Sequence, residues 1–252
     1  MRKSKGFSLV ELLVVMGIIS LLISILLPSI SRSRESARSV KCLSNLRQIG
    51  QATQMYLHEN KGSFFLRALN DGPNPDDNYA TLFRFVGSPG ENPYNGNANP
   101  YKFGGNKRYL NQYLNTSDTN DQAVWICPTD PGLYKFTGTS YGANLFVKKT
   151  ATEPDVKGLA LDDLQSIKVT QIKNSSSFVV AAEHGANQLA WLNGGSTNEL
   201  GKISGVQVLT PAAMFWHSKS RTWNVLFADG HCGAVDIKAS TLSTSEYTYN
   251  RE

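Results

Sequence analysis

The hydrophobic residues of this chain are concentrated in one continuous segment close to its N-terminus. Between Leu9 and Leu27, 15 of 19 residues are large and apolar. With its flanks, residues 7–30, the segment spans about 36 Å as a helix, which exceeds the thickness of the hydrocarbon core of a bilayer. The pattern therefore predicts a membrane-spanning helix at residues 7–30.

A second, amphipathic helical pattern follows directly and continues to residue 59. Apolar positions recur there at steps of three and four residues, which places them on one face of a helix. They are Ala37, Val40, Leu43, Leu46, Ile49, Thr53 and Leu57. Because Asn60-Lys61-Gly62 is typical of a helix end, residues 31–60 are predicted to form the soluble half of the helix and to pack on a sheet.

The remaining residues, 61–252, are predicted to form a globular α+β domain. Residues 87–106 are rich in Gly, Pro and Asn and indicate a loop, and a short helix is predicted at about residues 107–114. Strands are predicted at residues 124–127, 140–146, 167–172, 178–182, 206–209, 223–228 and 232–237. Asp229-Gly230 separates the last two strands and predicts a tight hairpin. A long N-terminal helix packed on an antiparallel sheet is an α+β fold.

Charge gives little support to nucleic-acid binding. The formal net charge is +5, but Arg2, Lys3 and Lys5 precede the apolar segment, and their removal with a leader would leave +2. The chain has only three cysteines, which excludes a disulfide-dense scaffold. We therefore expect a globular domain without nucleic-acid partners.

A secretory signal peptide would also combine a basic start with an apolar core. Its apolar region would be about 7–15 residues long and would end at a small-residue cleavage site. Here the run is longer and ends in Leu26-Leu27-Pro28-Ser29. We therefore expect no cleavage downstream of the apolar segment.

Glu11 interrupts the apolar segment. An ionised side chain inside a bilayer costs about 2.5–3.5 kcal/mol on insertion scales. The residues alone leave two explanations open. Either Glu11 reaches the headgroups at the edge of the bilayer, or a positive group of another chain neutralises it within the membrane.

Residues 5–12, Lys-Gly-Phe-Ser-Leu-Val-Glu-Leu, resemble the class III signal of type IV prepilins and type II secretion pseudopilins. The resemblance implies that residues 1–6 are a leader, that a prepilin peptidase cuts after Gly6, and that the new N-terminal Phe7 is methylated. Glu11 would then be the fifth residue of the mature chain. During assembly it would pair with the Phe7 amine of a neighbouring subunit.

The resemblance also implies a structural subunit rather than an enzyme, without a cofactor. Its partners would be the prepilin peptidase, other pilin or pseudopilin subunits, and an inner-membrane assembly platform. The chain would cross the inner membrane once, with its C-terminal domain outside the cytoplasm. This orientation rests on the resemblance, since basic residues flank the apolar run on both sides. A type II secretion pseudopilus and a type IV pilus-like filament both remain open.

Four further motifs resemble those of a large group of pilin-like proteins with a C-terminal His…Asp-Gly signature. They lie at residues 42–48, 127–130, 140–144 and 224–231. The resemblance assigns the signature to His217, Asp229 and Gly230. Eleven residues separate His217 from Asp229 in this chain, two more than is usual in that group.

The three cysteines allow one disulfide in an oxidising compartment. The residues do not establish that a bridge forms. Of the three possible pairings we favour Cys42–Cys127, because both residues lie in motifs shared with the pilin-like group, whereas Cys232 follows its hairpin motif. Three free thiols are the alternative.

Gly138-Thr139-Ser140-Tyr141-Gly142 matches the nucleophile elbow of hydrolases, and Asp229 and His231 follow in hydrolase order. An elbow requires a helix after the serine, but the residues that follow favour strand or loop. We therefore predict a structural turn and no catalytic residues. A membrane-anchored extracytoplasmic binding domain and an anchored hydrolase are the alternatives to a filament subunit.

No metal site is predicted with named ligands. Six residues could donate to a transition metal but lack a short ligand spacing: His58, His184, His217, His231, Glu183 and Asp229. Calcium remains open, because polar loops carry carboxylates without an EF-hand pattern. These are Asp71, Asp76, Asp77, Asp118 and Asp121.

Overall fold

The computed structural model consists of one long helix followed by a four-stranded antiparallel sheet. It describes residues 8–65, 85–87, 108–114, 123–130, 132, 134–135, 138–144, 159, 166–183, 186, 222–237 and 243–249. Helix α1 spans Leu9–Glu59, and the strands are β1 (Tyr141–Ala143), β2 (Val179–Glu183), β3 (Thr222–Phe227) and β4 (Cys232–Asp236). Two short 3₁₀ helices lie at Asn111–Tyr113 and Val169–Gln171. The predicted α+β fold is confirmed.

The chain divides into two compact units, residues 1–38 and 39–252. The described part of the first unit is helical from Leu9 onward, and α1 continues through Pro28. Four serine hydroxyls there donate to carbonyl oxygens three or four residues earlier: Ser20, Ser24, Ser31 and Ser33. Such bonds give each of these hydroxyls a partner within the helix itself.

In the second unit, one face of α1 packs on the sheet. The buried residues of this face are Cys42, Asn45, Leu46, Ile49, Gly50, Ala52, Thr53 and Leu57. The predicted stripe is therefore correct from Leu46 onward. Leu43 is half-buried, and the prediction is wrong at Ala37 and Val40, which are exposed. The buried face begins at Cys42 because that turn of the helix makes a covalent bond and polar contacts with the rest of the unit.

The four strands lie in the order β1-β2-β3-β4, and each neighbouring pair is antiparallel. The predicted hairpin is confirmed, with Leu226 opposite Cys232 and Gly230 at a φ of 93° in the turn. Gly50 lets α1 approach this hairpin closely, since a β-carbon there would lie 2.8 Å from Cδ1 of Leu226. A second apolar cluster, which includes Trp223 and Tyr249, covers the other face of the sheet.

Three predicted elements differ from the structure. Residues 124–127 form turns rather than a strand, because the Ile126 N–H donates to the Ala123 carbonyl and the segment is held by side-chain contacts. Residues 167–172 contain a 3₁₀ helix, and the helix predicted at 107–114 is shortened to the 3₁₀ helix Asn111–Tyr113. The strand predicted at residues 206–209 and most of the predicted loop, residues 88–106, lie outside the described residues.

Candidate functional site

The first unit exposes its apolar side chains from one end to the other. Every large hydrophobic residue between Leu9 and Ile30 is exposed, from 78% at Leu9 to 45% at Ile30. By length and composition this helix is able to cross a membrane. Since soluble domains rarely expose so large a continuous apolar surface, the helix fits a membrane anchor.

Glu11 has a hydrogen-bond partner within its own helix. The N–H of Ser8, the residue before the first helical residue, donates to Oε2 of Glu11 at 2.9 Å. This is one half of a capping box, and the carboxylate lies at the favourable N-terminal end of the helix dipole. Gly6 and Phe7, the predicted processing residues, lie outside the described residues.

The second unit contains a disulfide between Cys42 and Cys127, the pairing favoured from the sequence. The S–S distance is 2.06 Å, and both residues are buried. The hydroxyl of Thr129 lies 2.9 Å from the sulfur of Cys127 and is the donor, because disulfide sulfurs carry no hydrogen. The bridge ties α1 to the loop before β1.

Polar contacts around the disulfide connect the motifs that sequence analysis identified separately. Nδ2 of Asn45 donates to the carbonyl of Ile126 at 2.8 Å. The hydroxyl of Tyr141 on β1 donates to the carbonyl of Cys42 at 3.1 Å. Burial, followed by the nearby carboxylate of Glu183, raises the pKa of Tyr141 well above its ordinary value. The phenol therefore stays protonated and remains a donor.

Ser140 stabilises the loop between Cys127 and β1 through its side-chain hydroxyl. Its hydroxyl donates to Oδ2 of Asp130 at 2.6 Å and accepts the N–H of Cys127 at 2.9 Å. Asp130 also accepts the N–H groups of Gly132 and Tyr134. A strand, β1, follows Ser140 rather than the helix that a nucleophile elbow requires. The local geometry is that of a structural turn.

Glu183 and Asn224 form a buried polar pair beside the disulfide. Glu183 ends β2 and is 0% exposed. Nδ2 of Asn224 donates to its Oε1 at 2.9 Å, and the Asn224 N–H donates to its Oε2 at 3.3 Å. Nδ2 of Asn224 also lies 3.5 Å from the carbonyl oxygen of Ser39 on α1. These donors compensate a carboxylate that would be costly to bury without partners.

Cys42, Cys127 and Glu183 place potential metal-ligating atoms within 4.8 Å of one another. A metal would need thiolate sulfurs, and the disulfide consumes both of them. The cluster is therefore a structural centre while the bridge is intact. Glu183 therefore lies beside the disulfide. Sequence analysis had considered it as a metal ligand together with Asp229 and the histidines.

The other predicted ligands are not gathered into one site among the described residues. Nδ1 of His231 lies 2.6 Å from Oδ1 of Asp229, and its ring stacks on Phe227 at the β3–β4 turn. His58 is exposed in the last turn of α1. The remaining candidates lie outside the described residues: His184, His217, Asp71, Asp76, Asp77, Asp118 and Asp121.

Cys232, the third cysteine, is a free, partly buried thiol. Burial raises its pKa to about 12. Because the thiolate is the nucleophile, we expect iodoacetamide at pH 8 to alkylate it about 100- to 1000-fold more slowly in the folded than in the unfolded chain. The native rate should rise as pH approaches that pKa.

Mass spectrometry of the unreduced protein measures both rates and identifies the labelled cysteine. In denaturant, one alkyl group at Cys232 is expected. Three alkylated cysteines would disprove the bridge, and equal native and unfolded rates would disprove the burial of Cys232.

The roles of Glu183 and Tyr141 were not found by sequence analysis. The available signal was weak: Glu183 directly follows an apolar run at residues 178–182, so that a strand there would carry an acid into the core. Its partner Asn224 lies 41 residues further along the chain. No local pattern relates positions so far apart.

Comparisons with known proteins give two family matches. Residues 1–27 match the prokaryotic N-terminal methylation motif. This motif supports the assignment of the chain as a pilin- or pseudopilin-type subunit. No curated protein and no solved structure matches the chain.

The second match covers residues 31–163, more than half of the chain. It ends before His217, Asp229 and Gly230, so it does not test the His…Asp-Gly signature. The segment that matches contains Cys42, Asn45, Cys127 and Tyr141, which meet around the disulfide. The chain belongs to the family described as "Protein of unknown function (DUF1559)", and a prokaryotic N-terminal methylation motif precedes the family's segment.

Proposed function

We propose that this chain is a structural subunit of a pilin-like filament, matured by a prepilin peptidase and assembled through α1. The observation that carries the proposal is the methylation motif at residues 1–27 on a helix whose apolar side chains are exposed. The filament is a type II secretion pseudopilus or a type IV pilus-like fibre. The other partners are sister subunits and an inner-membrane assembly platform.

Maturation removes residues 1–6 and leaves the apolar helix intact. The subunit therefore stays in the inner membrane as a single-pass protein, with residues 39–252 displayed outside the cytoplasm. Phe7 becomes the methylated N-terminal residue. The proposal assigns no catalytic residue to the displayed domain.

Assembly transfers the apolar helix from lipid to sister helices. A carboxylate in that environment is strongly disfavoured unless it is paired. The Ser8 N–H satisfies Glu11 in the free chain. In the filament, the Phe7 amine of a neighbour offers a full positive charge instead, and the pair sets the axial register of the two subunits.

We expect cleavage after Gly6 in cells with an active prepilin peptidase. Mass spectrometry of the membrane-extracted chain should show an N-methylated Phe7. Gly6→Val should block processing, because a side chain crowds the backbone that the peptidase must approach. Gly17→Val is the matched control, since a β-carbon at Gly17 has no atom within 4 Å. An intact Met1 terminus in the wild-type chain would overturn the proposed maturation.

We expect Glu11→Val to insert into the membrane normally but to lose most assembly. Glu11→Gln separates the two roles of this residue, because glutamine can still accept the Ser8 N–H in a capping box but carries no charge. If charge pairing drives assembly, both variants fail in a filament-shearing assay. If Glu11 only caps its helix, Glu11→Gln assembles like wild type. Normal assembly by both variants would show that the helices pack in the filament without a charge pair at Glu11.

A further inference from the structure

Three arginines surround α1 directly after the apolar segment. Arg32, Arg34 and Arg38 are all exposed, and we call them the basic collar. Glu35 is the one acid between them. Within the part of the chain that the structure describes, no ion pair is formed by any of the three arginines.

Helical geometry places the collar at the surface of the bilayer. With about 1.5 Å per residue, Arg32, Arg34 and Arg38 lie about 3, 6 and 12 Å beyond Ile30 along the axis. The headgroup layer of one leaflet is about 5–7 Å thick. Side chains of a helix lean toward its N-terminus, here toward the bilayer, so that Arg38 also reaches back to the headgroups.

Arg34 and Arg38 lie one turn apart on the same face, and Arg32 lies on another. Like charges four residues apart destabilise a helix. Glu35 offsets only one of the three arginines, so residues 32–38 keep a net charge of +2. Guanidinium groups bind phosphate oxygens in a bidentate geometry that lysine cannot match. The collar thus supplies the donors, the spacing and the depth that a layer of phosphate groups requires.

We propose that the basic collar binds the phosphate groups of anionic phospholipids in the leaflet through which α1 leaves the membrane. Continuity with the apolar helix favours lipid over a protein partner, since the collar begins two residues after Ile30. Bound headgroups hold the helix at a constant depth before assembly. The inference rests on the membrane insertion in the proposed function and does not require a filament.

The test uses the full-length chain reconstituted in vesicles of phosphatidylcholine with roughly 30% phosphatidylglycerol. This anionic content gives the vesicles a negative surface potential. Electron paramagnetic resonance of spin-labelled phosphatidylglycerol and of spin-labelled phosphatidylcholine reports which lipid is immobilised at the protein. We expect an approximately three- to fivefold preference for phosphatidylglycerol, decreasing between about 0.05 and 0.5 M salt. In R32Q/R34Q/R38Q the preference should fall to nearly one.

The matched control is R47Q/K61Q/K173Q, which removes the same charge from exposed positions outside the collar. It should keep the wild-type preference. An equal loss of preference in both triple variants would show that the total charge of the protein, and not the basic collar, attracts the anionic lipid. An unchanged preference in R32Q/R34Q/R38Q would show that the collar does not bind it. Immobilisation of neither lipid would show that α1 is not in the bilayer, which overturns the membrane step of the proposed function as well. Preserved preference with failed filament assembly would contradict the proposed function alone.

Discussion

Replacing both Cys42 and Cys127 with serine is expected to lower the free energy of unfolding of the second unit by about 4–5 kcal/mol. The bridge closes a loop of 85 residues, and a crosslink of this span removes that much conformational entropy from the unfolded chain in the chain-entropy model. Guanidinium unfolding of the detergent-solubilised full-length chain measures the change. The signal is tryptophan fluorescence, to which the buried Trp125 and Trp223 contribute among the four tryptophans of the chain.

Two comparisons separate the crosslink from local packing. Cys232→Ser changes a partly buried free cysteine and should cost much less. A reductant should destabilise the wild-type chain, because the unfolded state is then no longer crosslinked, but should leave the double serine variant unchanged. A wild-type midpoint that is insensitive to reductant would contradict a stabilising bridge.

Asn224→Ala is expected to destabilise the second unit by about 3 kcal/mol. The substitution removes the amide that donates to Oε1 of Glu183 at 2.9 Å and leaves a carboxylate in the core with one donor fewer. A hydrogen bond to a buried charged group contributes about 1.5–3 kcal/mol. We expect a loss at the upper end of this range, because Glu183 is fully buried and keeps only the Asn224 N–H of this pair. The same fluorescence-monitored unfolding measures the change.

A double-mutant cycle tests the physical reason for that loss. In a Glu183→Gln background the group at position 183 is neutral, so the additional cost of Asn224→Ala should fall to about 1 kcal/mol. Asn174→Ala is the control, because Asn174 is exposed and its side chain bonds only to Ser176 in the described part of the chain. An equal cost of Asn224→Ala in both backgrounds would show that the charge of Glu183 is not what Asn224 stabilises.

These two experiments would show that the second unit is stabilised by contacts of its own. The first unit is an apolar helix with no buried side chains among its described large hydrophobic residues. In the proposed function, the membrane or sister helices cover these side chains. The second unit carries its own core and a covalent tie between α1 and the loop before β1. This tie fixes the part of α1 that belongs to the second unit to the core of that unit.

The features that could be predicted from sequence are those with local physical causes. A continuous apolar run determines a helix that is long and apolar enough to cross a membrane, because the signal is contained in about twenty adjacent residues. Asp229-Gly230 between two β-rich runs determines a hairpin because the turn requires a positive φ at Gly230, which glycine adopts freely. The α+β layout follows from the order of these elements.

The partners of the buried polar residues around the disulfide depend on the tertiary structure. The amide of Asn45 belongs to a helix pattern that predicts exposure for polar residues, yet it is buried because Ile126, 81 residues away, offers it a carbonyl. Residues 124–127 have the composition of a strand, but the disulfide and Asp130 hold them in turns. Glu183 is accommodated in the core because the sheet places Asn224 beside it. Local patterns thus determined which elements form, whereas the partners of each buried polar group depended on contacts between distant segments, which exist only once the chain has folded.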